Sequence, residues 1–295
     1  MIGLELEEAR VIAVRVDDQG RVLARAQTDA GGDLGAAAIK AIGEVQGTAA
    51  AAGVGVAAVN AESAAIAAAV SALAVKFGAA VNRTGPVPSG AAAAAAEAWT
   101  GASRDVGDSV FFGVAQHATG GFVRNGVAIT GARGRALSVG WLSLNPVERE
   151  DYRKIGCLEA EVAAAGLVRR MIWRIKAGDR SRVQDVVGED LAAITVEHIL
   201  VAAREGDGVS VSVVRDTAKY LGMAAANLVA IADPEMLVLG GIMASAADLL
   251  IEPIRVEVGR RLPKPMIDAL RIETAVLGAD AAAIGAARLV TAALP

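Results

Sequence analysis

The chain opens twice on the same device. Val11 to Val16 is a largely apolar run, Asp17-Asp18-Gln19-Gly20 is a polar turn, and Val22-Leu23 resumes the apolar pattern. Past the midpoint of the first half, Val110 to Val114 leads into the glycine turn Ala118-Thr119-Gly120-Gly121. Phe122 to Ile129 then gives two short strands around Asn125-Gly126. Both stretches carry the signature of strand, turn and strand. A chain that restarts on one pattern is expected to fold as two lobes of like architecture.

Helices and short apolar runs follow each opening. Gly31 to Gly47 reads as a helix capped by Asp33, with Leu34, Ile39, Ile42 and Val45 on its apolar side. Val54 to Val59 is a short buried strand, and Ala64 to Lys76 is helical. Gly85-Pro86-Val87-Pro88 breaks the chain, and Ser89 is expected to cap a helix over Gly90 to Trp99. Gly101 to Gly107 is a polar connection between lobes. Further on, Cys157 to Lys176, Leu191 to Arg204 and Gly208 to Ala232 are helical, the last ended by Asp233-Pro234. Met236 to Leu239 is a strand running into Gly240-Gly241. Ala246 to Arg261 is helical, Leu270 to Val276 extended, and Asp280 to Ala293 a closing helix. Strands interleaved with helices imply an α/β chain. The expected division is a first lobe over 1–106, a second over 107–279, and a final helix over 280–295 that packs back on the first.

Aromatic residues make up only 3% of the 295, against 54% hydrophobic residues overall. The core must therefore be built from Ala, Val, Leu and Ile, whose small faces let helices and sheets approach closely. A net charge of −4 gives no reason to expect a nucleic acid or an anionic membrane as partner. One cysteine, Cys157, allows no intrachain disulfide and fits a reducing cytoplasm. MIGLELEEAR lacks a basic-then-apolar leader pattern. The Ala-rich runs are interrupted by Glu62, Lys76 and Glu97 and are too weakly apolar to span a membrane. A cytoplasmic location is expected.

Several residues invite a functional reading. Glu5, Glu7 and Glu8 put three carboxylates where a phosphate loop would want backbone N–H groups and cations. Gly240-Gly241, between a strand and a helix, would let a flat ligand lie on the backbone, and a tight turn explains them as well. Gly120-Gly121 fits either phosphate contact through bare N–H groups or a plain hairpin. His117, His198 and Cys157 are scattered, so no zinc site is expected. His117 borders a glycine turn and is the more open to a ligand role; His198 lies within a helix. Glu159 opens a helix, where a carboxylate complements the dipole without further function. Arg169, Arg170, Arg174, Lys176, Arg180 and Arg182 form a basic cluster that is either an anion-binding face or a solvated helix surface.

Taken in order, these stretches resemble the ROK family, which holds glucokinase-like sugar kinases and related repressors. Arg204-Glu205-Gly206-Asp207 followed by YLGMAAANLVAIADPEMLVLGG resembles the segment leading to the family's adenine-side glycines. Leu277 to Leu289 resembles its closing helix. Gly156-Cys157-Leu158-Glu159 matches the end of its zinc-and-sugar motif, and Glu97-Ala98-Trp99 the end of its catalytic helix. The resemblance implies an α/β, two-lobed sugar-kinase/actin-like (ribonuclease H-like) fold with a central cleft, and a homo-oligomer, expected to be a dimer.

The departures are informative. The family opens with Asp-x-Gly-Gly-Thr, and this chain has Glu5 at the Asp, Glu7 and Glu8 at the glycines, and Ala9 at the Thr. Two ionised glutamates there would repel phosphates by about 1 kcal/mol or more each. The family's catalytic Asn-Asp pair falls on Pro88 and Ser89, and a serine cannot accept a proton near neutrality. Glu97 lies roughly 12 Å along the helix and is no obvious substitute. The second phosphate loop reads Ala115-Gln116-His117-Ala118-Thr119, with only Gly120-Gly121 retained after it. The sugar-and-metal segment reads Ser138-Val139-Gly140-Trp141. Glu150 and Tyr152 stand where two cysteines of the metal cluster belong, and Glu159 is the one sugar-contacting acid left.

The resemblance thus implies a sugar-kinase homologue without phosphoryl transfer. Its cleft would be lined by Glu159, Ser138, Trp141, Gln116 and His117 and retained for a metabolite or a partner, with Gly240-Gly241 flooring the former base site and Glu5, Glu7, Glu8 and Gly120-Gly121 as further remnants of the nucleotide site. No cofactor and no zinc are expected. The alternative is an active ATP-dependent hexose kinase, using ATP and Mg²⁺ with relocated catalytic groups. A regulator is disfavoured because the chain starts at its first hairpin, without a preceding helix-turn-helix.

Overall fold

A computed structural model describes residues 1–47, 53–78, 81, 85–188 and 190–292. Ile2–Leu6 (β1), Arg10–Val16 (β2) and Val22–Asp29 (β3) form an antiparallel meander. Val54–Ala58 (β4) and Val87–Pro88 (β5) add in parallel, giving the order β3-β2-β1-β4-β5. Ser109–Val114 (β6), Ala118–Arg124 (β7), Val127–Ile129 (β8), Met236–Gly241 (β9) and Arg271–Thr274 (β10) repeat this in the order β8-β7-β6-β9-β10. There β6 pairs antiparallel with β7 and parallel with β9. The echo between the two openings is therefore a repeat of topology.

The helices are Leu34–Gln46 (α1), Ala64–Phe77 (α2) and Ser89–Thr100 (α3), then Glu150–Ile155 (α4), Cys157–Val162 (α5), Ala164–Lys176 (α6) and Arg182–Val187 (α7). Val196–Arg204 (α8), Gly208–Ala232 (α9), Ile242–Ser245 (α10), Ala247–Gly259 (α11), Lys264–Ala269 (α12) and Ala281–Ala292 (α13) follow. Among the described residues no helix is long and apolar enough to cross a membrane.

Four local readings change. The first opening has three strands, because Ile2–Leu6 is a strand and not a loop. Its outward side chains Ile2, Leu4 and Leu6 fill the core, while Gly3 and Glu5 face inward. Gly120-Gly121 lie within β7 and not in a turn; the turn is at Ala115–His117. Cys157 to Lys176 is two helices, since Ala163 is extended at ψ 163°. Ser89 is the first residue of α3 and not its cap, a place taken by Pro88. Asp33 does cap α1, accepting from Ala36 N at 2.9 Å. Residues 293–295 of the closing segment lie outside the described residues.

The central strands of each sheet are buried on both faces. Outside the first sheet, α1 and α2 cover Leu4, Leu6, Val54 and Val56. Outside the second, α5, α6, α8, α9 and α11 cover Val110, Phe112, Leu237 and Leu239. Between the sheets run two helices: α13 lies on β1 and β4, α3 lies on β6 and β7, and the two pack on each other. Only glycine and alanine permit this spacing. A Cβ on Gly3 would sit 1.8 Å from the Ala283 carbonyl oxygen, and one on Gly55 1.9 Å from that of Ala286. A Cβ on Gly285 would sit 1.7 Å from the Ala92 oxygen. The scarcity of aromatics and the abundance of alanine answer to this backbone-to-backbone packing.

Glu97 fastens the two places where the chain crosses between lobes. Fully buried on α3, it accepts from Ala102 N at 2.7 Å on the first crossing. It also accepts from Val276 N and Leu277 N, both at 3.1 Å, on the second. Its carboxylate is therefore committed to backbone N–H groups.

Gly3→Ala is expected to cost about 1–3 kcal/mol or more, because the clash is with backbone that has nowhere to move. Gly43→Ala, on the exposed side of α1 with nothing within 4 Å, should instead stabilise by about 0.5–1 kcal/mol. Urea denaturation of the two variants against the parent chain checks both signs.

Candidate functional site

The carboxyl ends of the parallel strands in the two sheets bound the site, as is usual for open α/β sheets. On the first lobe, Glu5 is in register with Ile12 on β2 and with Ala57 on β4. Ala57 and Ala58 pair with Val87 and Pro88, after which α3 begins at Ser89. Glu5 and Ser89, both buried, are thus neighbours at the carboxyl ends of the parallel strands β1, β4 and β5. Burial pushes the Glu5 carboxyl up to about 7, and the Ser89 hydroxyl beside it pulls the other way. Ser89 Oγ itself is buried without a hydrogen bond of normal geometry.

Glu7 and Glu8 form the link from β1 to β2. Glu7 is gripped at two points by Arg10, with Nε at 2.9 Å and Nη2 at 2.8 Å from its oxygens. This modifies the expected repulsion of phosphate. The Glu7 charge is offset by Arg10, which lessens that expected repulsion. Glu8 is exposed and carries its charge to solvent.

On the second lobe, His117 and Glu159 come together although 42 positions apart. His117 Nδ1 is 3.0 Å from Glu159 Oε1, and Ala118 N donates to Glu159 Oε2 at 3.1 Å. Glycines allow this approach. A Cβ on Gly140 would lie 3.0 Å from Glu159 Oε2, and one on Gly156 2.2 Å from the Gly140 oxygen. Gly156 also holds φ at +94°, a conformation that favours glycine. The hydrogen bond to Glu159 raises the His117 pKa, burial opposes it, and the charges of Glu159, Glu7 and Glu8 add to the rise. His117 thus senses the glutamates of the opposite lobe.

The remaining expected site residues are spread around this pair. Gln116 is exposed next to His117. Ser138 is exposed and donates to the Arg135 carbonyl oxygen at 2.9 Å. Trp141 ends the helical turn Val139–Trp141, 59% exposed. The glycine pairs have packing roles. A Cβ on Gly121 would sit 2.1 Å from the Gly90 oxygen on α3, and one on Gly120 2.5 Å from Val139 Cγ1. Gly240 lies against the Phe111 ring, and Gly241, at φ +64°, against the Val114 backbone. His198 has a role the sequence reading missed: with Thr195 it forms a capping box at the start of α8.

The segment resembling a metal cluster is filled by protein. Tyr152 packs with buried Cys157 and Ala160 and donates its hydroxyl to Glu161. Arg149 and Arg170 pair with the same carboxylate at 3.2 and 2.7 Å. These side chains do not fit a zinc ion, and among the described residues no group of three or more His, Cys, Asp or Glu could hold a metal.

Comparison with known proteins agrees with this layout. A family model described as the ROK family matches residues 57–293, and the chain belongs to that family. It is 30% identical to a glucokinase of Halalkalibacterium halodurans over 200 residues, 67% of this chain and 60% of that protein. It is 30% identical to the DNA-binding transcriptional dual regulator NagC of Escherichia coli over 162 residues, 55% of this chain and 38% of that protein. The matched segments thus span less than two thirds of these relatives. A ROK family glucokinase from Streptomyces griseus, solved in complex with glucose and AMPPNP, superimposes with a TM-score of 0.82 at 22% identity, over 98% of both chains. A ROK family transcriptional regulator, a homolog of the E. coli MLC protein, also gives 0.82, at 23% identity over 99% of this chain and 78% of that one. The fold is the two-lobed, actin-like fold of ROK sugar kinases.

A raised histidine pKa has a defined consequence for stability. The His117–Glu159 pair contributes fully below the ordinary histidine value near 6.5 and is lost as pH rises through the higher folded-state value. NMR titration of the parent chain should place His117 above 6.5. Glu159→Gln should remove most of that rise and the matching pH dependence of the melting temperature.

Proposed function

We propose that this chain is a ROK sugar-kinase homologue that has given up phosphoryl transfer and keeps its cleft as a binding site for a small metabolite. The observation that carries the reading is Ser89. Where the family resemblance places the catalytic aspartate, a buried hydroxyl opens α3, and it cannot take the proton of an attacking sugar hydroxyl. The side-chain-filled loop at Glu7 and Arg10 supports it, since phosphate cradles rest on open backbone N–H groups. Glu159, held by His117 and Ala118 N, supplies a fixed acceptor for hydroxyl groups of a ligand. The same reading makes the chain a cytoplasmic homo-oligomer without zinc or nucleic acid.

Calorimetry with Mg-ATP and a coupled phosphorylation assay over a hexose panel, glucose included, test this. No turnover above background is expected. Robust turnover on any hexose would overturn the reading, and tight Mg-ATP binding without turnover would remove the loop from its support.

One observation favours a second reading, an active ATP-dependent hexose kinase. Glu5 lies beside Ser89 and titrates at about 7, the range suited to a general base at physiological pH. In that case activity would rise with pH through about 7 as Glu5 loses its proton, and Glu5→Gln would abolish it. Under the first reading Glu5→Gln has a different effect. It removes a carboxyl whose folded-state pKa is raised from 4.5 to about 7. Burying that group costs stability progressively as pH rises through this window, so the variant should gain on the order of 2–3 kcal/mol at pH 8.

A further inference from the structure

The basic cluster on α6 takes no part in the cleft. Three of its members, Arg169, Arg170 and Arg174, line a cavity of about 850 Å³ between α6, α9 and the segment before α4. Arg149 and Lys219 join them, so five cations meet there from three separate parts of the chain. Trp173 and Tyr220 form apolar wall, and Trp173 is 67% exposed.

The floor of the cavity is a rigid polar network. Buried Glu161 holds Arg149 at 3.2 Å and Arg170 at 2.7 Å, and Arg170 donates to Thr217 Oγ1 at 2.8 Å. Tyr152, pushed up to about 12 chiefly by burial, stays a neutral donor to Glu161. Asp151 pairs with Arg149 at 3.4 Å and with Arg169 at 2.7 Å. Three guanidinium groups therefore share two carboxylates, leaving one positive charge uncompensated. At the rim, Lys219 is balanced by Asp216 at 3.8 Å. Arg174 engages Asp179 and Ser212 through Nε and Nη1, and among the described residues its Nη2 makes no hydrogen bond.

We propose that this cavity is a second ligand site, separate from the cleft, for a small phosphate ester with a flat or apolar body. Arg169 Nη2 is already given to the Ala160 carbonyl oxygen at 2.7 Å, so a phosphate would supply the negative charge that the floor lacks and accept from guanidinium nitrogens that the network leaves open, Arg174 Nη2 among them. The body of the ester covers Trp173 and Tyr220, which would otherwise face water. The volume lies in the range of small-molecule pockets, about 300–1,000 Å³. Such a site would let a phosphorylated metabolite act on the second lobe without entering the cleft.

Calorimetry on the full chain with AMP and with glucose 6-phosphate, against adenosine and glucose, decides it. At least one ester should bind roughly tenfold or more tightly than its uncharged parent. The double variant Arg169→Gln/Arg174→Gln should weaken that ester by at least as much. Lys219→Gln, at an exposed rim position whose charge among the described residues pairs with Asp216 alone, should weaken it several-fold, and circular dichroism should show both variants folded. Glu159→Gln, in the cleft, should leave ester affinity unchanged. The proposal is overturned if neither ester binds at millimolar concentration or if the Glu159→Gln chain binds the uncharged parents as tightly as the esters. It is equally overturned if ester binding survives the cavity variants or is lost with Glu159→Gln, which would put the ester in the cleft.

Discussion

The Glu97 carboxylate holds the two lobes in register. A buried anion costs several kcal/mol unless its lone pairs are met by donors, and here three backbone N–H groups meet them. Those donors belong to two stretches that pass from lobe to lobe, between α3 and β6 and between β10 and α13. Glu97 thereby fixes both ends of the crossing from a single point on α3. Everything set by the relative placement of the lobes, including the distance from Glu7 and Glu8 to His117, depends on that point.

Around it the closest approaches between layers are made by glycine and alanine. Gly3, Gly55, Gly90, Gly121 and Gly285 bring backbone against backbone through the whole stack of sheet, helix, helix and sheet. The inward face of β1 illustrates the compromise. Its outward residues are Ile2, Leu4 and Leu6, but inward it must leave room for α13, so it carries Gly3 and then Glu5. Glu5 is placed by the same register that places the scaffold, and its raised pKa follows from being enclosed by that packing.

Much of the fold was legible in the sequence, for identifiable reasons. Gly208 to Ala232 could be read from end to end because a cap precedes it and Asp233-Pro234 stops it. Asp33 announced α1. By contrast β1 was hidden, because Gly3 and Glu5 weaken the local strand signal and their presence is explained only by α13, some 280 positions away. Gly120-Gly121 looked like a turn because glycines usually punctuate; their reason is Gly90 on α3. The residues of the site were legible singly, chiefly through family resemblance, whereas the pairings were not. His117 with Glu159, Glu7 with Arg10, and Arg149 and Lys219 with the α6 cluster need the folded chain to bring them together. Of these only Glu7 and Arg10 were close enough in sequence to be guessed.

The residues that keep this shape and the residues that would carry a phosphoryl group are different sets. A new methyl group at Gly3 or Gly285 meets backbone, whereas Glu7 and Glu8 lie in the link after β1, outside the stack, with Glu8 exposed. Random substitution would therefore be filtered unevenly. The seam rejects change because the chain no longer folds, while the turn after β1 accepts it silently. A scaffold of this kind keeps the positions that fix its shape apart from those that set its chemistry.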